Sequence, residues 1–315
     1  MQTFKVVKPG LFTTIQDLGR PGYQRFGLPT AGPMDSYSLR MANLLAGNDL
    51  NAAALEMAFA GATLEVMRQT VVALTGASMQ AALNGASMPA WQGVRVREGD
   101  RLELGSAVEG VYSYLAVAGG IDVPPVFGSR STDVLASIGG IEGRPLKSGD
   151  IVETYAPEDL PDEIMLKQDF ISSFPPKTLA RVIMGPQDKR FTAAGLDTFL
   201  NSIYKVTVNV NRIGYKLEGP QIEHLEGADI ITEGQTPGAI QVPRDGRPII
   251  LLADRGSVGG YTKIAVVISA DIRKVAQSGP GKEISFQAVD LETARRAYRE
   301  EEAIFMLNRR LLFEP

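Results

Sequence analysis

The sequence of 315 residues has no cysteine and only one histidine, and each shortage excludes some chemistry. Without cysteine the chain cannot form disulfides, thiolate nucleophiles or cysteine metal sites. A single histidine, His224, excludes a metal site built from several histidines, and a Ser-His-Asp triad would have to use it. Because His224 lies between glutamates, we expect it to be solvated. Asp, Glu, Lys and Tyr remain as acid–base candidates, and no metal site is expected.

Excess charge and long apolar runs are also missing. The chain has 32 basic and 36 acidic residues, a net charge of −4, which argues against nucleic acid or an anionic membrane as the main partner. No apolar run reaches the length of a membrane span, and the first residues lack the apolar core of a signal peptide. We therefore expect a cytoplasmic protein. The common glycine-rich phosphate-binding motifs do not occur either.

Short apolar runs separated by Gly, Asn or Asp dominate residues 55–118, a spacing that is typical of a β-sandwich or β-barrel. A proline-rich, acidic stretch from Tyr155 to Thr178 resembles an interdomain connection. The sequence thus predicts an N-terminal β domain at 1–158, a C-terminal β-barrel domain at 179–289 and a C-terminal helix at 290–315. The runs expected to be separate strands include Val71 to Leu74, Met79 to Leu83, Leu102 to Leu104 and Tyr112 to Ala118, and helices are expected near 35–47, 188–201 and 290–308.

The stretch from Glu233 to Ser269 is the strongest candidate for a site. It contains two apolar runs, Ile249 to Ala253 and Ile264 to Ile268, that predict buried strands on either side of a glycine-rich loop. Polar residues at the ends of rigid strands are a common way to build a site. The alternative is a hairpin whose exposed end carries ordinary solvated charges. The polar residues in question are Asp254, Arg255, Tyr261 and Lys263.

A long loop rich in glycine and proline, Gly19 to Asp35, is a second candidate. Long loops in compact domains are uncommon and often functional. Asp35 is also placed to cap the following helix, and Arg20 could simply anchor the loop, so both interpretations stay open. The pattern Arg-x-Gly-Tyr occurs at Arg20 and again at Arg212, which hints at two related β domains.

Five ordered segments, spread over nearly the whole chain, carry a family resemblance. The segments are Gly19 to Asp35 (GRPGYQRFGLPTAGPMD), Leu115 to Asp133 (LAVAGGIDVPPVFGSRSTD), Gly185 to Phe191 (GPQDKRF), Arg212 to Pro220 (RIGYKLEGP) and Glu233 to Ile268. They resemble the biotin-dependent carboxyltransferase, or KipA, family, to which the C subunits of bacterial 5-oxoprolinases belong. Two departures occur: Arg212 to Leu217 reads RIGYKL where the family has Arg-Met-Gly-Tyr-Arg-Leu, and Gly256 to Lys263 reads GSVGGYTK where the family usually has Gln-Thr-Thr-Gly-Gly-Tyr-Pro-Lys.

The resemblance implies a mainly β fold of tandem cyclophilin-like β-barrel domains with a few short helices and a C-terminal helix. It also implies one part of an ATP-dependent 5-oxoprolinase that converts a small lactam, 5-oxoproline, to glutamate. The implied partners are the other two subunits of that enzyme, a LamB/YcsF-like protein (the A subunit) and a KipI-like protein (the B subunit), and the residues do not say which of the three binds ATP. The alternatives are the carboxyltransferase component of a biotin-dependent urea or amide carboxylase and a non-enzymatic regulator of a histidine kinase. Because the chain lacks a Met-Lys-Met-type segment, it does not itself carry biotin.

The resemblance also implies which residues act. Arg255 or Lys263 would stabilise charge on the substrate carbonyl oxygen, and Asp254 would orient it or move a proton. The residues expected to bind substrate are Gln241, Tyr261, Arg212, Tyr215, Glu233, Arg20 and Asp35.

Overall fold

The computed structural model describes residues 1–157, 159–161, 164–166 and 171–313, in two compact units. One unit comprises 1–21, 31–173 and 305–315, and the other comprises 22–30 and 174–304. Parts of the predicted connection at 155–178 and the end of the predicted C-terminal segment lie outside the described residues. The domain boundaries drawn from the sequence stay a prediction.

The first unit is built on a nine-stranded sheet in the part of the chain that the structure describes. The sheet runs in the order β2-β3-β8-β4-β1-β9, while β5 pairs with β8 and carries β6 and β7. One helix, α1 (Ser36–Leu45), buries most of its side chains in this unit. The strands are β1 (Gln2–Lys8), β2 (Phe12–Gln16), β3 (Ala54–Ala58), β4 (Thr63–Val66), β5 (Thr70–Leu83), β6 (Ala86–Ser87), β7 (Gly93–Val96), β8 (Arg101–Val117) and β9 (Ile151–Glu153).

Strands β5 and β8 are longer than the sequence predicts, since each joins two runs that were expected to be separate. In β5 the glycine between the runs, Gly76, does not form a turn but lies at a bulge, where the register against β8 shifts before Ser78. Its φ is +85°, and a Cβ there would lie 2.4 Å from the carbonyl oxygen of Tyr112. Only glycine fits this position, so the strand bends without ending.

The second unit contains a closed seven-stranded barrel with strand order β10-β17-β14-β15-β12-β11-β18. The pairing of β10 with β18 is parallel and the other barrel pairs are antiparallel. A separate two-stranded sheet is formed by β13 and β16. The strands are β10 (Lys177–Met184), β11 (Tyr204–Val210), β12 (Gly214–Glu218), β13 (Asp229–Gly234), β14 (Ala239–Gln241), β15 (Ile249–Leu251), β16 (Val258–Tyr261), β17 (Lys263–Val267) and β18 (Glu283–Ala288), and the helices are α2 (Ala193–Asn201), α3 (Ser269–Ala276) and α4 (Leu291–Phe313).

The expected mainly β fold with a few helices and a C-terminal helix is confirmed. The barrel of the second unit is closed, whereas the sheet of the first unit is an open half-barrel. The sequence missed α3, because this helix follows β17 with no turn residue between them. Its place is fixed by Asp271, which accepts hydrogen bonds from the backbone and side chain of Arg181 at 2.8 to 2.9 Å. Among the helices described, none is long and apolar enough to cross a membrane.

Candidate functional site

Arg212 and Asp254 form a buried ion pair beside the barrel. The Nε and Nη2 atoms of Arg212 donate to the two carboxylate oxygens of Asp254 at 2.7 and 2.8 Å. The backbone N–H of Asp254 also donates to the carbonyl of Arg212, at 2.9 Å. Both side chains are less than a tenth exposed. This two-pronged contact ties the loop before β12 to the loop after β15, and both oxygens of Asp254 are used in it.

Lys263, the first residue of β17, carries a buried ammonium whose counter-ion is Glu233. The Lys263 side chain is 5% exposed and the Glu233 side chain 43%. Gln187 joins the two residues, since its Nε2 donates to Glu233 at 2.8 Å and its Oε1 accepts from the Lys263 backbone N–H at 3.1 Å. The hydrogen bonds from Lys263 and then Gln187 lower the pKa of Glu233. Glu233 is therefore ionised at neutral pH.

Arg255 is a second buried cation, only 3% exposed. Its Nη2 donates to Oε1 of Gln24 at 3.2 Å, and Gln24 comes from the 22–30 segment of the same unit. The amide of Gln24 donates in turn to the backbone carbonyls of Gln235 and Ser257. Burial lowers the pKa of Arg255 to about 10, although the charge of Asp254 opposes this effect. Arg255 still carries its charge at pH 7.

Two glutamine amides face Gly259 of β16, and one of them belongs to the cross-strand partner of Lys263. Gln241, at the end of β14, is the cross-strand partner of Lys263 and is 8% exposed. A Cβ on Gly259 of β16 would lie 2.2 Å from Nε2 of Gln235 and 2.8 Å from Nε2 of Gln241, so both amides face this glycine. We call Gln187, Glu233, Gln235, Gln241 and Lys263 the amide–lysine cluster. It combines one cation, one carboxylate and several amide donors and acceptors, a set that suits a small polar carbonyl compound.

The remaining predicted site residues have the following places. Tyr261 lies on β16 and is 40% exposed. Tyr215 is fully buried, and its hydroxyl donates to the Ala276 carbonyl of α3 at 2.6 Å. In the first unit, Arg20 is buried and donates to the Ser131 carbonyl. Asp35 caps α1 by accepting from the N–H and hydroxyl of Ser38 at 3.0 and 2.7 Å, which confirms its capping role. Binding roles for these four residues stay predictions.

His224 was expected to be solvated, and the structure shows it half-buried with polar and aromatic contacts. Its Nε2 lies 3.1 Å from the Val242 carbonyl and 3.1 Å from the Thr262 hydroxyl, and its ring centroid lies 4.7 Å from that of Phe191. Burial lowers the pKa of His224. The glutamates beside it in sequence point elsewhere, so charged neighbours in the chain gave no sign of the pocket that holds the ring.

Sequence reasoning placed Lys263 correctly at the start of a strand. β15 ends at Leu251, so Asp254 and Arg255 lie in the loop that follows it, and β14 separates β15 from β17 in the barrel. The glycine-rich loop expected between the two strands is in part a strand, since Val258–Tyr261 forms β16. Three glutamines, Gln24, Gln187 and Gln235, were missed, although each lies in one of the motifs that carry the family resemblance. Only the folded chain shows that the amide of Gln235 is buried.

Comparison with known proteins shows the family. The model of the carboxyltransferase domain, subdomains A and B, matches residues 26–288. The C subunit of 5-oxoprolinase from Escherichia coli is 39% identical over 308 residues, which cover 96% of this chain and 96% of that protein. The same-named protein of Haemophilus influenzae is 36% identical, again over 96% of both chains. The crystal structure of the K. lactis urea amidolyase superposes with a TM-score of 0.91 at 33% identity, covering 97% of this chain and 20% of that one. The chain belongs to the carboxyltransferase-domain family.

Proposed function

We propose that this chain is the C subunit of an ATP-dependent 5-oxoprolinase, which opens the lactam ring of 5-oxoproline to glutamate together with the A and B subunits in the cytoplasm. The observation that carries the proposal is similarity along 96% of both chains to two proteins that are named as C subunits of 5-oxoprolinase. The amide–lysine cluster supports it, because the cluster offers a buried cation and amide groups to a small lactam.

Lys263 has the chemistry to stabilise the reaction. When water attacks the lactam carbonyl, negative charge develops on the carbonyl oxygen, and a preorganised cation lowers the energy of that state. The ammonium is buried, so its field is weakly screened by water. Its counter-ion, Glu233, is more exposed, and the substrate oxygen can share the ammonium with it. Arg255 supplies a second buried positive charge, and its Nε donates to the backbone carbonyl of Gln235 at 3.4 Å.

Asp254 acts in this proposal as a positioning residue. Each of its oxygens accepts one hydrogen bond from the Arg212 guanidinium, and this two-pronged contact fixes the orientation of the carboxylate. Of the two roles considered for Asp254, orienting other groups therefore fits the geometry better. Its effect on the reaction would pass through Arg212 and through the loop that also holds Arg255.

The cluster does not fit a nucleotide triphosphate. Its one cation, Lys263, is almost completely buried, and a carboxylate, Glu233, lies directly against it, where it would repel phosphate. Phosphate sites usually present backbone N–H groups of a glycine-rich loop at a helix N-terminus, and no such sequence motif occurs here. We assign the ATP-dependent step to one of the partner proteins and derive no step through ATP on this chain.

A second candidate is the carboxyltransferase component of a biotin-dependent urea or amide carboxylase. It is favoured by the close superposition on the urea amidolyase structure, although this chain covers one fifth of that protein. The same buried cation and amides would suit a urea carbonyl. The two candidates differ in the reaction products, so one assay separates them.

The test is a reconstitution of this chain with a KipI-like protein and a LamB/YcsF-like protein. We expect glutamate formation that requires 5-oxoproline, ATP and all three proteins, and co-purification through an interface of at least the standard size of about 1,600 Å². Turnover by this chain alone at the rate of the mixture would overturn the proposal that the chain is inactive without its partner proteins. No turnover by the mixture, together with carboxylation of urea when a biotin carrier and its carboxylase are added, would favour the second candidate.

A further inference from the structure

Gln235 is buried, yet its side-chain amide has no hydrogen-bond partner among the described residues. The residue is 4% exposed, and neither Nε2 nor Oε1 is paired. Its backbone is well held, because its N–H donates to the Ser257 carbonyl at 3.0 Å and its own carbonyl accepts from Gln24. A buried amide without partners lowers stability, and proteins seldom keep one without a use.

The unpaired amide of Gln235 points to the part of the site that would hold a substrate. It lies against Gly259, where the amide of Gln241 also lies, and Gln241 pairs across the strands with Lys263. In the described structure the Lys263 ammonium has Glu233 as its only partner, although an ammonium has three N–H groups to donate. Gln241 thus adjoins both the Lys263 ammonium, which has unused donors, and the Gln235 amide, which has an unused donor and an unused acceptor.

We propose that Gln235 is a specificity residue that reads the amide edge of the lactam ring, an inference that rests on the proposed function. A small lactam ring forces its amide to be cis, so the lactam N–H and carbonyl oxygen lie on one edge. The carboxamide of Gln235 also presents an N–H and an oxygen on one edge. The two groups pair through two antiparallel hydrogen bonds, from Nε2–H to the lactam oxygen and from the lactam N–H to Oε1.

The neighbouring residues 256–258 have no side-chain amide that could recognise the lactam in place of Gln235. Gly256 has no side chain and Val258 is apolar, while Ser257 holds Gln235 through its backbone carbonyl. With Lys263 on the carbonyl oxygen and Gln235 on the N–H and the same oxygen, a substrate without an N–H would leave the Gln235 oxygen unpaired. Sites built to hydrogen-bond a substrate group reject analogues that lack the group.

The experiment compares 5-oxoproline with N-methyl-5-oxoproline in the complex of all three proteins, with this chain as wild type, Gln235→Leu or the exposed control Gln221→Leu. We expect Gln235→Leu to lower kcat/KM for 5-oxoproline about 10- to 100-fold, since two hydrogen bonds are lost. It should also bring the ratio of kcat/KM for the two substrates towards one. The control should keep the wild-type constants. Equal losses on both substrates, with the ratio unchanged, would overturn the proposal.

Thermal unfolding supplies a readout that separates this role from a structural one. Because leucine removes a buried amide without partners, Tm of Gln235→Leu should stay the same or rise by about 2–4 °C. If the amide served only the fold, Tm would fall. Should the wild-type complex not turn over 5-oxoproline, the proposed function fails by itself. Calorimetric titration of both lactams into the complex still decides the role of Gln235, and equal affinities in wild type and variant would refute it.

Discussion

Removing the carboxylate of Asp254 should destabilise the second unit strongly. In Asp254→Ala the guanidinium of Arg212 keeps its place, with a side chain only 5% exposed, but loses the two hydrogen bonds of 2.7 and 2.8 Å that offset its charge. The rest of the barrel is unchanged, so the cost is that of a buried cation left without its carboxylate. The location of Asp254 in the loop after β15 would by itself suggest that the fold tolerates its substitution. The burial of Asp254 reverses that expectation.

The size of the effect follows from the burial of both partners. Breaking a buried pair by removing one member costs about 3–5 kcal/mol. At about 2–4 °C per kcal/mol for a unit of this size, Tm should fall by roughly 6–20 °C. The double variant Arg212→Met with Asp254→Leu removes both charges and should recover most of the loss, because replacing a buried pair by apolar side chains is often close to neutral.

The assay is thermal and urea unfolding of the wild type, Asp254→Ala, the single variants Arg212→Met and Asp254→Leu, and the double variant, followed by circular dichroism. The matched control is the exposed pair Lys216–Asp245, which has the same kind of contact at 2.9 Å with side chains 36% and 43% exposed. Asp245→Ala should cost less than about 1 kcal/mol. If Asp254→Ala cost no more than Asp245→Ala, or if the double variant were as unstable as the sum of the singles, the argument from burial would be refuted.

Three further outcomes are expected. Lys263→Met should lower kcat of the complex about a hundredfold or more. Tm should change little, because methionine fills the space of the buried lysine side chain and water solvates Glu233. A kcat near that of the wild type would remove Lys263 from the reaction. Gly259→Ala should raise KM several-fold at nearly constant Tm, because the new Cβ meets only side-chain amides. In the control Gly185→Ala the new Cβ lies 2.2 Å from a backbone oxygen, so this variant should unfold at a clearly lower temperature. Equal losses of Tm in the two variants would contradict the prediction. The single histidine, His224, should titrate by NMR below the ordinary value of 6.5, since burial lowers its pKa. Because the folded pKa lies below the unfolded one, the stabilising contribution of His224 is present above pH about 6.5 and is lost as pH falls through the folded pKa. A titration midpoint at or above 6.5 would contradict the burial of the ring.

The sequence predicts the fold well where the pattern is local. Alternating and continuous apolar runs locate most strands, and Asp35 marks the start of α1 because its capping bond to Ser38 is a short-range interaction. A glycine between two apolar runs does not show whether the strand ends there. Gly76 lies in a bulge within one long strand, yet in sequence it looks like a turn. The helix α3 was missed for a related reason, since its start depends on Asp271 contacting Arg181, a residue 90 positions away.

The candidate site shows the same division. The ends of two apolar runs predict that Asp254, Arg255 and Lys263 lie near one another. In the structure Asp254 and Arg255 lie in the loop after β15, and Lys263 begins β17, which β14 separates from β15 in the barrel. Which of these side chains is already hydrogen-bonded and which is available to a substrate depends on partners far away in the sequence, which no local pattern contains. The carboxylate of Asp254 is hydrogen-bonded to Arg212, whereas the side-chain amide of Gln235 has no partner among the described residues. Both outcomes depend on how β13 and the loops around the barrel meet. A count of hydrogen bonds on the folded chain was needed to tell these residues apart.

Two ion pairs of the second unit, Arg212–Asp254 and Lys263–Glu233, differ in a way that bears on their roles. In the Arg212–Asp254 pair both partners are buried and joined by two hydrogen bonds, so neither can turn to a substrate without breaking the pair. In the Lys263–Glu233 pair the cation is buried on a barrel strand, while the carboxylate is 43% exposed on β13, outside the barrel sheet. Glu233 can therefore move into water at little cost while Lys263 stays in place. A buried charge whose counter-ion can leave is suited to transfer its stabilisation to a developing oxyanion, so Lys263 rather than Asp254 is the residue on which the proposed chemistry depends.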